Sequence, residues 1–96
     1  MARYIVFWEY NVAHCPLDMK EKTSQWLILT DECKKMLKSG QIKDWAHYAG
    51  EAAGYMIVEG DDKDVLRLSD SYLPYIRCTA KSILTLEQCE QVWKSL

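Results

Sequence analysis

His47, Glu59, Arg77 and Lys81 are the residues of this 96-residue chain whose types could move a proton and hold the resulting charge. An imidazole has a reference pKa of ~6.5, so His47 could exchange a proton near neutrality. Glu59 would orient it, and Lys81 or Arg77 would stabilise an enolate-like oxyanion. Trp8, Trp45 and Tyr55, with Arg77 and Lys81, would supply the mostly apolar wall with a few polar groups that small-molecule sites use. Such a set suits an isomerisation or a cofactor-free oxygenation. A simpler reading stands ahead of it. A lone strand histidine is more often held structurally by a hydrogen bond, and Glu59 could be half of an interface ion pair with Arg77 or Lys81.

The other reactive residue types are explained without chemistry. His14 and Cys15 are a base beside a thiol, but neighbours in an extended segment point apart. Asp61 and Asp62 sit where a helix N-terminus favours acids. Cys15, Cys33, Cys78 and Cys89 lack the close C-x-x-C spacing of a zinc or redox site, so four reduced thiols and no metal are expected. Haem is disfavoured, because His14 and His47 are the only conventional ligands. No cofactor is implied. A net charge of -2 argues against a nucleic-acid surface. No apolar run approaches the ~20 residues of a membrane span, and no signal pattern precedes the first strand-like run. Cytoplasm is the default location.

The elements that must position these residues are written in the hydrophobic pattern. Residues 1–96 are the right size for one domain. Arg3–Tyr10 is rich in aromatic and β-branched residues and reads as a strand with large apolar groups on both faces. A loop over Asn11–Leu17 leads to a helix over Met19–Ser39, with Asp18 and Glu21 at capping-box spacing and Gly40 as its stop. In a rival reading Trp26–Leu29 is a short strand and Thr30 caps a shorter helix. Ile42–Ala49 alternates as a second strand, and Gly50–Gly54 turns into a third, Tyr55–Glu59, giving an antiparallel hairpin. Gly60 permits a sharp change of direction, and a helix from Asp62 or Lys63 runs to about Leu73, ended by Pro74. Ile76–Leu84 is the fourth strand. Thr85 and Gln88 then open a short helix with the apolar stripe Leu86, Cys89, Val92, Trp93 and Leu96.

This β-α-β-β-α-β order with an added C-terminal helix predicts an α+β, ferredoxin-like domain, its four-stranded antiparallel sheet covered on one face by two helices. Strand parity places Val6, Trp8, Trp45, His47, Tyr55, Ile57, Glu59, Arg77, Thr79 and Lys81 on the uncovered face. It places Ile5, Phe7, Ala46, Met56, Val58, Cys78 and Ala80 under the helices. Register decides this, since a slip of one residue reverses a strand. Bulky apolar groups on both faces predict a cover for the second face, and another copy of the sheet is the simplest one.

Tyr4–Trp8, Gly54–Asp62 and Ile83–Glu87 resemble the dimeric α/β-barrel superfamily, in particular its small single-domain members similar in plan to muconolactone isomerase and the antibiotic-biosynthesis monooxygenases. The resemblance covers nearly the whole chain as a pattern and carries no catalytic signature. It implies a homodimer whose two sheets face each other, and a small molecule held inside that barrel or between sheet and helices. Three functions are compatible with it: a small-molecule-binding dimer for an apolar or aromatic ligand, a non-catalytic dimerisation module, and a cofactor-independent isomerase or monooxygenase. The fold alone assigns no reaction.

Overall fold

The structure is a computed structural model and describes residues 2–96. Four strands, β1 (Ala2–Tyr10), β2 (Ile42–His47), β3 (Ala53–Gly60) and β4 (Ile76–Ile83), form one antiparallel sheet in the order β2-β3-β1-β4. Helices α1 (Met19–Ser39) and α2 (Asp62–Ser71) connect them, a 3-10 turn covers Val12–His14, and α3 (Leu86–Lys94) follows β4. The protein is therefore α+β, with a four-stranded antiparallel open sheet and three helices.

Each helix start is encoded locally. The Asp18 carboxylate accepts from the Glu21 backbone N–H at 3.1 Å, opening α1. Asp61 and Asp64 bond reciprocally at the start of α2, and Thr85 and Gln88 do the same for α3, satisfying donors that a helix leaves free. α1 ends at Gly40, whose φ of 82° is the left-handed conformation that glycine adopts most cheaply. It runs unbroken across Thr30, whose hydroxyl donates to the Trp26 carbonyl at 2.8 Å instead of capping a new helix. The rival strand at Trp26–Leu29 is thereby replaced by helix. β2 stops at His47, two residues short of the expected end, and α2 stops at Ser71.

α1 and α2 cover the same face of the sheet. Leu29 and Met36 from α1, with Val65 and Leu68 from α2 and Tyr72 just beyond its end, pack against Tyr4, Val6, Trp8, Ile42, Met56, Val58 and Ile76. The Tyr4 hydroxyl donates to the Asp62 carboxylate, tying the start of α2 to β1. That bond, more than burial, holds the Tyr4 phenol above its ordinary pKa. The opposite face has Ile5, Phe7, Tyr55 and Ile57 at its centre, with no helix over them. Around them Glu59 lies 3.5 Å from both Arg3 and Lys43, and Arg77 lies 4.0 Å from Glu9.

Two strands are therefore turned over relative to the expectation from parity. In β1 the buried side chains are Tyr4, Val6 and Trp8, while Ile5 and Phe7 face outward. Both faces of β1 are large and apolar, so alternation alone does not select between them. In β2 the cause is a bulge. Ile42 pairs with Val58 and Asp44 with Ile57, leaving Lys43 as the extra residue. Unbroken alternation from the buried Ile42 would put Ala46 under the helices and Trp45 and His47 outside. The bulge reverses this, pairing Trp45 with Met56 and His47 with Gly54 on the helix side.

α3 has no buried residue, and Leu86, Val92, Trp93 and Leu96 beside it are all exposed. The molecule extends 56 Å along its long axis against 25 and 24 Å across. A strand or helix here spans only about 30 Å, so α3 must stand off one end of the sheet. Residues Glu87, Gln88 and Gln91 border a shallow depression with Arg3 and Glu59, which turns the polar side of α3 toward its own sheet. No helix among the described residues is long and apolar enough to cross a membrane.

Candidate functional site

The residue at the centre of the site is Trp8, 5% exposed, on the helix-covered face of β1. Trp45 stacks on it with ring centroids 5.5 Å apart and planes 15° from parallel. His47 and Tyr10 meet it edge-on at 5.3 and 5.6 Å, and Trp26 of α1 lies 5.8 Å from Tyr10. These separations are within the range of favourable aromatic pairs. The group is a local consequence of the sheet. Cross-strand pairing sets Trp8 opposite Gly54, and Gly54 opposite His47, so the indole lies over a position with no side chain.

These rings form the floor and one wall of a cleft of about 390 Å³ between the sheet and α1. Leu29, Thr30, Cys33, Lys34 and Leu37 of α1 form the other wall, and Met56, Tyr72 and Ile76 close the far end. The volume falls within the range typical of small-ligand pockets. A second and wider groove of about 920 Å³ runs between α1 and α2. It is lined by charges of both signs, Glu32, Lys35, Asp64 and Arg67, and Arg67 already lies 3.5 Å from Asp64. The aromatic cleft is the better candidate because its lining is mostly apolar and aromatic and its polar groups few.

Within the cleft, His47 Nδ1 lies 2.6 Å from the Tyr48 carbonyl oxygen. A carbonyl only accepts, so Nδ1 carries the proton, and in the neutral ring Nε2 keeps its lone pair. Burial pushes the Cys33 thiol and the Tyr10 and Tyr72 phenols above their ordinary pKa values. All three are neutral at physiological pH, which leaves Cys33 a poor nucleophile. The Trp8 Nε1–H is buried without an acceptor.

The sheet separates the residues that sequence reasoning grouped together. Trp8, Trp45 and His47 lie on the helix side, in the cleft. Tyr55, Glu59, Arg77 and Lys81 lie on the opposite face, where Tyr55 donates to Asp44 at 3.0 Å. Glu59 therefore cannot orient His47, and neither Arg77 nor Lys81 can stabilise charge beside it. The orienting acceptor is the Tyr48 carbonyl, and the nearest ammonium in the cleft wall is Lys34. The ion pairs of Glu59 are with Arg3 and Lys43 rather than with Arg77 or Lys81.

Tyr10, Trp26, Cys33 and Lys34 were missed as site residues. One signal was available: Trp26, Thr30 and Lys34 recur every four residues, a single row along one side of α1. His14 packs edge-on against Tyr75 at 6.3 Å, and neither it nor Cys15 lines the cleft. Asp61 caps α2 and Asp62 accepts from Tyr4, so both acids have structural roles. The four cysteines are free thiols. No family model, no curated protein and no solved structure matches the chain.

Proposed function

We propose that this protein binds a small, flat, apolar or aromatic molecule in the cleft between α1 and the sheet. The observation that carries this reading is the set of three aromatic rings packed around Trp8 beside a cavity of about 390 Å³. Flat ligands stack on such walls at a gain of about 0.5–1.5 kcal/mol per ring pair beyond burial. His47, with Nε2 unprotonated in its neutral form, is the group in the cleft suited to take a proton from a bound molecule. A cofactor-independent isomerisation or oxygenation would use it in that way. Titration with 1-naphthalenemethanol, followed by calorimetry, tests the binding. Micromolar to submillimolar affinity is expected, weakened at least tenfold by Thr30→Trp, which fills the cleft from α1. No heat up to millimolar ligand, or equal affinity in the variant, refutes the cleft.

A second reading concerns assembly. The ferredoxin-like domain would pair through the open face of its sheet, giving a homodimer of the α/β-barrel type. Support comes from Ile5, Phe7, Tyr55 and Ile57, which form an apolar centre ringed by charges, the usual anatomy of an interface. If pairing is the sole role, the protein is a non-catalytic dimerisation module and the aromatic cleft stays empty. Light scattering on the eluting protein should return twice the chain mass. Ile57→Glu should return the monomer mass, and a wild-type monomer at micromolar concentration would remove the barrel.

A further inference from the structure

The charge that lines the aromatic cleft is of one sign. Lys34 brings an ammonium, and no aspartate or glutamate lines the walls. Lys34 takes part in none of the ion pairs among the described residues, whereas Lys43 and Lys94 do. The neighbouring groove between α1 and α2 shows the contrast. There Lys35 and Arg67 are accompanied by Glu32, Glu59 and Asp64, so the cations have acidic neighbours. A cleft with a cation and no carboxylate is complementary to a ligand bearing negative charge.

We infer that the ligand of the cleft is an aromatic acid: a planar ring system carrying a carboxylate, its ring against Trp8 and Trp45 and its anionic group toward Lys34. The inference rests on the cleft being the binding site. Lys34 sits at the edge of the cavity and is solvated, so its interaction is a modest one and salt-sensitive. It gives the anion an advantage of about threefold over a neutral ligand of the same shape.

Three probes that share one ring system separate the possibilities: 1-naphthoate, 1-naphthalenemethanol and 1-naphthylmethylammonium. With the wild-type protein at low salt, naphthoate should bind about threefold tighter than the alcohol, and the ammonium should bind weakest. Lys34→Gln should remove most of the preference while leaving the affinity for the alcohol unchanged. Lys35→Gln, the adjacent lysine in the other groove, should leave the preference intact. Equal binding of naphthoate and alcohol overturns the aromatic acid but leaves the cleft standing. Binding of none of the three overturns the cleft and the inference together. A preference that survives Lys34→Gln and disappears in Lys35→Gln places the anion in the wrong groove and also overturns the inference.

Discussion

Gly54→Ala should lower the melting temperature by more than 10 °C, the largest effect expected of any single methyl group added to this chain. Gly54 lies in β3, paired with Trp8 on one side and His47 on the other. A Cβ built on it would collide with the Ala46 carbonyl oxygen and with Trp8 Cζ2, and would come within 2.8 Å of Trp8 Cε2. One obstacle is backbone and the other is a buried ring, so no flexible side-chain end can swing aside. Relief requires β2 to move away from β3, or the indole to leave its site, and either disrupts the aromatic group. Overpacking of this kind costs about 1–3 kcal/mol and more where backbone is involved. In a domain of this size each kcal/mol is worth about 4–8 °C. Thermal unfolding measured by circular dichroism checks it. A drop smaller than about 5 °C would show that the sheet absorbs the methyl group. Gly50, whose Cβ would meet nothing within 4 Å, is the control and should change little.

Trp8→Ala should destabilise the fold by about 3 kcal/mol and abolish binding in the cleft. Removing a buried tryptophan ordinarily costs about 3–5 kcal/mol, through lost burial and the cavity left behind. The lower end is expected here for a specific reason. The indole N–H is buried without an acceptor, and an unsatisfied donor costs about 1–3 kcal/mol that the substitution returns. Trp8→Phe separates the two contributions, because it keeps most of the apolar ring and deletes the donor. It should therefore unfold at a denaturant midpoint close to that of the wild type, with the alanine variant well below both. If phenylalanine is as damaging as alanine, the N–H has an acceptor in solution and the orphan assignment fails.

These two residues also mark what could and could not be read in advance. The order of elements was legible, because every helix start carries its own cap. Thr85 and Gln88 form the box their spacing suggests, Asp18 makes half of one with Glu21, and Asp61 caps α2. The continuity of α1 followed from the helical spacing of Trp26, Leu29, Cys33 and Met36. The side of the sheet on which the aromatic residues lie was not legible. β1 carries Tyr4, Val6 and Trp8 against Ile5 and Phe7, and either set would make a core. In β2, parity was read through a bulge that no glycine or proline announces. Trp45 and His47 were accordingly grouped with Tyr55 and Glu59, when the sheet stands between them. Charged partners were hardest of all. Lys34 is one of three lysines near the end of α1, and only the packing of that helix over the aromatic rings sets it apart from Lys35 and Lys38.

The extra residue at Lys43 has a consequence for how this surface could change over time. What sets the facing of β2 is where that residue is accommodated, not whether it is there. Bulged before Asp44, the strand points two aromatic side chains into the cleft; with the bulge displaced beyond His47, plain alternation from Ile42 would send the same two side chains to the far face. Loss of Lys43 would only straighten the strand and leave Trp45 opposite Met56. The short path between a protein with an aromatic pocket and one with an aromatic, adhesive sheet is thus a bulge moved along β2, with no residue lost or gained.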